Sequence, residues 1–136
     1  TASPSTSPRQ GGPHRRLTLK VAAFEFYQAA ERLYHCVLLV LTLYSPKSHK
    51  LNLLRSQAER LAPELIEAWP RETKAQQRCF ELLRRAYVDA RYSPHYKISA
   101  EELGWISERI GVLEVLVRHV CEVRLAELEE AASGPP

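Results

Sequence analysis

No common catalytic or transport signature is present in these 136 residues, and each absence removes a class of function. There is no HExxH pair, no GxSxG elbow, no Walker loop and no paired-carboxylate motif beyond ordinary helix-surface acids such as Glu101 and Glu102, so a hydrolase of a common class is not indicated. The longest unbroken apolar run, residues 36–41, is far short of the roughly 20 residues that span a bilayer, and no membrane association is expected. The Ser-, Pro- and Gly-rich start lacks the apolar core of a secretory signal. Net charge is small, with 19 Lys and Arg against 16 Asp and Glu, so any basic patch must arise by clustering. The chain starts at Thr1 without a Met, which fits either Met removal or excision from a longer chain.

Cysteine is scarce too. Cys36, Cys79 and Cys121 each sit in an apolar helical pattern with no CxxC or Cys/His spacing, and we expect reduced, buried small hydrophobes in a cytoplasmic protein. The five histidines show no local ligand spacing, and neither a metal nor a cofactor is implied. Strand alternation is missing throughout. Gly104 and Gly111 lie within a helical pattern outside any Gly-rich loop, which suits close helix approach better than phosphate cradling.

Helical periodicity fills this space. Residues 1–16 have no hydrophobic period and are expected to form a mildly basic flexible arm through Arg9, His14, Arg15 and Arg16. Over residues 18–43, Phe24, Tyr27, Ala30, Tyr34, Val37 and Leu41 recur at steps of three and four, and the apolar second half marks a central helix. His35, on its more polar side, suits a local hydrogen bond better than a catalytic base. A loop, YSPKSHK, follows, with Ser48 a candidate cap for a helix over residues 51–61. Thr73 with Gln76, and Ser99 with Glu102, read as capping boxes opening two further helices. The final helix, expected over residues 100–128, carries Leu103, Ile106, Ile110, Leu113, Val117 and Val120 as a bundle seam. Val112, Leu116 and Val123 widen its apolar surface enough for a second interface. Residues 129–136 should fray. The expected fold is an all-α, antiparallel up-and-down bundle of four to five helices over residues 17–128.

One stretch concentrates chemistry. In LLRRAYVDARYSPHYKIS, residues 82–99, a helix carrying Arg84, Arg85, Tyr87 and Arg91 is expected to end before Pro94, and Tyr92, His95, Tyr96 and Lys97 follow. Arg84 and Arg91 are seven residues apart, which puts both on one face of a continuous helix. Guanidinium groups and tyrosine rings together suit an anionic ligand with a stacking face. The competing reading is a solvated helix face and a turn.

Three segments, QAAERLYHCVLLVLT (28–42), SPKSHKL (45–51) and LLRRAYVDARYSPHYKIS (82–99), occur in an order and spacing that resemble the HEPN family, the "higher eukaryotes and prokaryotes nucleotide-binding" helical domains. The likeness covers about residues 21–127. It is nearest to the branch found at the C-terminus of sacsin and beside bacterial minimal nucleotidyltransferases. The resemblance implies an up-and-down bundle, frequently a homodimer, whose polar cleft takes a nucleotide or RNA. Its Gln-Ala-Ala-Glu segment falls on Gln28 to Glu31, its Pro-x-Ser/Thr-His loop on Pro46 to His49, and its Arg-Tyr segment on Arg91 and Tyr92. Gln28 and Glu31 suit buried hydrogen bonds between helices equally well. The helix that usually precedes the first segment is replaced by the Pro/Ser/Gly arm, a loss that favours dimerisation. Ribonuclease members carry an Arg followed after four to six residues by a His; here only three separate Arg91 from His95, and Pro94 intervenes.

Three readings follow. In the first, an accessory nucleotide-binding domain, possible partner of a nucleotidyltransferase, uses Arg84, Arg91 and Lys97 on phosphate and Tyr92 or Tyr96 on the base, with Lys47 and His49 adding contacts from the loop. In the second, a metal-independent ribonuclease uses His95 as acid or base and Arg91 as charge stabiliser. In the third, the long last helix serves only dimerisation or docking.

Overall fold

A computed structural model describes residues 12–134. Its five α-helices are α1 (Pro13–Thr42), α2 (Leu51–Leu61), α3 (Lys74–Arg85), α4 (Asp89–Tyr92) and α5 (Ala100–Ala132), with a 3-10 helix, Pro63–Ala68, between α2 and α3. No strand occurs among the described residues, and the elements form the helical bundle that the periodicity predicts. Helix α1 begins earlier than expected, with Pro13 in its first turn, where a missing N–H costs nothing. Of the anticipated arm, His14, Arg15 and Arg16 are therefore helical, while Arg9 lies outside the described residues. At the other end α5 continues to Ala132, four residues past the expected stop.

The central role of α1 follows from its stripe. Ala23, Tyr27, Ala30, Tyr34 and Val37 are all fully buried, and α1 makes its most extensive contact with α5, whose Leu103, Ile106, Leu113, Val117 and Val120 face inward. Steps of three and four keep both rows on one side of their helices, so two long apolar stripes meet. Leu43 ends α1 in the left-handed conformation, φ 62°, its N–H donating to the Leu39 carbonyl and its side chain 85% exposed. Trp69, just after the 3-10 helix, inserts between layers. Its indole N–H donates to the Tyr34 hydroxyl at 2.9 Å, and its ring meets Phe80 edge-on at 5.0 Å. Arg109 of α5 reaches across to donate to the carbonyls of Glu67 and Ala68, both at 2.6 Å, satisfying the end of the 3-10 helix.

Both capping boxes form as the sequence predicts. The Thr73 hydroxyl accepts from the Gln76 N–H at 3.1 Å, and that of Ser99 from the Glu102 N–H at 3.0 Å. Burial pushes the Glu102 carboxyl up, but donors from Ser99 and Arg78 outweigh it and hold the group below its usual range.

Four expectations need correction. The third long helix is not continuous: Ala86, Tyr87 and Val88 form a turn between α3 and α4 with no Gly or Pro to announce it, where Tyr87 packs on α1 and Asp89 bonds Arg85. Ser48 does not cap α2; Lys50 occupies that position without a side-chain cap, and Ser48 Oγ accepts the Lys50 N–H at 3.0 Å. Cys36 is exposed, because it falls off the Tyr27–Tyr34–Val37 stripe, whereas Cys79 is buried and Cys121 partly so. Burial and the neighbouring Cys36 thiol push Cys121 up to about 11. Gly104 and Gly111 are exposed, and a Cβ at either would meet nothing, so within this chain neither serves close helix approach.

One buried group stands apart. The Tyr27 hydroxyl is enclosed with no hydrogen-bond partner among the described residues, and burial, with Glu31 and Tyr87 nearby, pushes its phenol well above the ordinary range. An unsatisfied buried hydroxyl costs about 1–3 kcal/mol. Tyr27→Phe is therefore expected to leave urea stability unchanged or raise it by about 1 kcal/mol. Tyr34→Phe should instead lower it, because the Trp69 N–H loses its acceptor. If the Tyr27 variant were the less stable of the two, the hydroxyl would have to be partnered.

Candidate functional site

The sequence segment SPKSHK turns the chain from α1 into α2, and its shape is set from α1. His35 Nδ1 bonds the Ser45 hydroxyl and Nε2 faces the Ser48 carbonyl at 3.2 Å, an arrangement in which the ring accepts from Ser45 and donates to the backbone. His35 thus does what its position suggests, a local bracing task. One turn earlier, Glu31 Oε2 lies 2.6 Å from His49 Nδ1, tying the far end of the loop to α1. The His49 ring also stacks on Tyr87, with centroids 4.8 Å apart and planes 10° from parallel. One imidazole and one carboxylate of α1, with a tyrosine from the α3–α4 turn, therefore hold the loop.

Beside this loop lies a cavity of about 810 Å³, lined by Lys47, Ser48, His49, Lys50 and the first residues of α2 on one side, and by Arg84, Arg85, Tyr87, Val88 and Asp89 on the other. The volume lies in the range of small-molecule sites. Four permanent cations face one carboxylate. Arg84 arrives paired with Glu81, whose carboxyl that hydrogen bond holds below its usual range, and Arg85 with Asp89 at 2.7 Å. Lys47 and Lys50 have no carboxylate within ion-pairing distance among the described residues. The start of α2, uncapped by any side chain, adds backbone N–H groups and the positive end of a helix dipole to the same wall.

Of the expected ligand residues, Lys47, His49 and Arg84 line this cavity together. Arg91 does not join Arg84 there, because the turn after α3 separates their helical segments. Its guanidinium lies over Phe24 at 5.2 Å, Tyr87 at 5.5 Å and Tyr92 at 5.0 Å, and donates to the Tyr92 hydroxyl at 2.9 Å. Tyr92 is 70% exposed, but Tyr96 is 1% exposed and its hydroxyl donates to the Leu82 carbonyl at 2.6 Å, so Tyr96 belongs to the core and offers no stacking face. Its occupancy of the core also explains why Lys97, its neighbour, points out into a separate hollow of about 110 Å³ with Arg16 and Lys20. His95 is exposed, its backbone N–H donates to Ser93 Oγ at 3.2 Å, and no contact joins it to Arg91 among the described residues.

Lys50, Asn52, Arg85 and Tyr87 line the cavity although sequence reasoning assigned them no ligand role. Lys50 carried a readable signal, since it shares the SPKSHK segment with Lys47 and His49. Tyr87 did not, because its helical spacing matched a buried stripe. Among the described residues no group of three or more His, Cys, Asp or Glu side chains is arranged to hold a metal ion, and no helix is long and apolar enough to cross a membrane.

A wholly helical bundle with a cationic cavity between the α1–α2 loop and the end of α3 is the class of domain that the described residues define. The HEPN domain matches residues 16–119, and the chain belongs to the HEPN family, whose helical domains are nucleotide- and RNA-related. No curated protein matches the chain.

Proposed function

We propose that this chain is a nucleotide-binding HEPN domain whose phosphate seat is the cavity between Lys47–Asn52 and Arg84–Asp89. The observation that carries the reading is the convergence of Lys47, Lys50, Arg84 and Arg85 on one hollow beside an uncapped helix start. Charge-assisted donors of this kind favour phosphate oxygens, and lysines without acid partners bring charge that no internal contact neutralises. Asn52 and the edge of the His49–Tyr87 stack supply polar and aromatic surface for a base. Dimerisation is part of the proposal: Val115, Val123, Leu125 and Leu128 are apolar side chains that α5 leaves exposed. A place beside a nucleotidyltransferase in the cytoplasm is consistent with such an accessory role. The ribonuclease reading built on Arg91 and His95 draws no support from two side chains that make no contact.

Isothermal titration of the full chain with GTP and with ATP at low salt tests the reading. We expect a saturable heat with at least one of them and a matching rise in thermal midpoint. Neither a heat nor a shift with either nucleotide would overturn it.

A further inference from the structure

The three cysteines divide into a pair and a singleton. Cys36 lies on α1 and Cys121 on α5, the two helices that pack most extensively against one another. Each flanks the apolar seam instead of filling it: Cys36 precedes the buried Val37, and Cys121 follows the buried Val120. There the side chains meet, and a hydrogen bond joins the Cys121 thiol to the Cys36 sulfur. Cys36 is exposed and Cys121 half-buried, so a small solute reaches Cys36 first. Cys79, on α3, is buried, and the groups that act on its thiol are the charges of Glu102 and Arg78 rather than a second sulfur.

Neither member of the pair lines the cationic cavity, so its chemistry is independent of nucleotide binding. Thiols already in contact have little distance left to close, since a disulfide asks for sulfurs about 2 Å apart. We propose that Cys36 and Cys121 form a site of reversible oxidation by hydrogen peroxide, closing a disulfide that staples α1 to α5. The Cys36 thiolate attacks a peroxide oxygen and the O–O bond breaks, leaving Cys36 sulfenic acid and a hydroxide that takes up a proton as water. The Cys121 sulfur then attacks that of Cys36; the S–O bond breaks, and the departing hydroxide carries off the Cys121 proton as a second water. The two thiols lose two electrons and two protons, and the peroxide is reduced to two waters. The order of events follows from the surroundings. In the reduced pair, burial and the neighbouring Cys36 push Cys121 up to about 11, which keeps its proton in place. Once Cys36 is an uncharged sulfenic acid its share of that effect is gone, and Cys121 becomes the resolving group.

The test exposes the full chain to a few equivalents of hydrogen peroxide, alkylates the remaining thiols under denaturing conditions and counts them by mass spectrometry, before and after reduction with dithiothreitol. We expect the free thiols to fall from three to one, Cys79, with Cys36 and Cys121 linked within one chain and dithiothreitol restoring all three. The bond closes a loop of about 85 residues and removes entropy from the unfolded chain, so the oxidised protein should melt about 5–15 °C higher. In Cys121→Ser, Cys36 should stop at sulfenic acid, which dimedone traps; in Cys36→Ser, Cys121 should resist the same dose. Three free thiols after peroxide, or a bond that joins two chains, overturns the proposal, and this wild-type count stands whether or not the serine variants fold. A disulfide that fails to raise the melting temperature overturns the staple, because the helices would then have to be strained to form it. Oxidation of Cys121 in Cys36→Ser as fast as that of Cys36 in Cys121→Ser overturns the assigned order.

Discussion

Replacing Trp69 by Ala is expected to cost about 3–5 kcal/mol, the largest single-residue loss in this fold. The indole is 1% exposed, packs edge-on against Phe80 and approaches Trp105 at 6.2 Å, so its removal leaves a cavity between the 3-10 helix, α3 and α5 that rigid helices cannot close. The Tyr34 hydroxyl also loses its donor in a fully buried site. Domains of this size are stable by about 5–15 kcal/mol, so the variant should melt about 10–20 °C lower and sit near the limit of folding. Trp69→Phe retains most of the ring area and should lose about half as much or less. Urea denaturation of both variants measures the two losses, and a Trp69→Ala loss below about 1 kcal/mol would mean that the indole is not seated as described.

The second large effect is on binding. Lys47→Glu/Lys50→Glu is expected to weaken nucleotide binding by about 100-fold or more, since two charge-assisted contacts are lost and two repulsive ones gained. Both lysines are exposed and neither holds an ion pair, so stability should change by only about 0.5 kcal/mol. Arg60→Glu/Lys74→Glu, at two exposed positions outside the cavity lining, makes the same change in net charge and provides the control. Equal weakening by the control and by Lys47→Glu/Lys50→Glu would point to a diffuse field instead of a seat. Titration calorimetry with circular dichroism on the same samples separates lost binding from lost fold.

The two predictions draw on different levels of the molecule. Trp69 could be expected near the core from its type, yet its partner could not: Tyr34 is 35 residues away, and only the return of the chain through α2 brings the two together. The cavity lysines lie in a loop whose proline and serines marked it as a turn, while the arginines opposite belong to a helix end more than thirty residues on. Where the reading of the site went astray, the error was geometric. Arg84 and Arg91 share a face on an ideal helix, and the unannounced turn at Ala86–Val88 divides them. Tyr92 and Tyr96 looked interchangeable as stacking groups, but the bend at Pro94 sends one ring to solvent and the other onto the Leu82 carbonyl.

Local physics therefore accounts for most of the helices and their caps, though not for the cap of α2 or the turn at Ala86–Val88. The sequence by itself determined that the fold is helical, which stripes on α1 and α5 are buried, that Thr73 and Ser99 begin helices, and that SPKSHK is a loop, because 3.6-residue periodicity and capping are short-range. It also carried enough ordered motif to bring the HEPN family to mind, and residues 16–119 bear that membership out. The tertiary structure alone decided which cations share a hollow, which tyrosine is wet and which histidine braces a loop. Helical spacing sets the direction in which a side chain points, but what it meets there is supplied by an element from elsewhere in the chain.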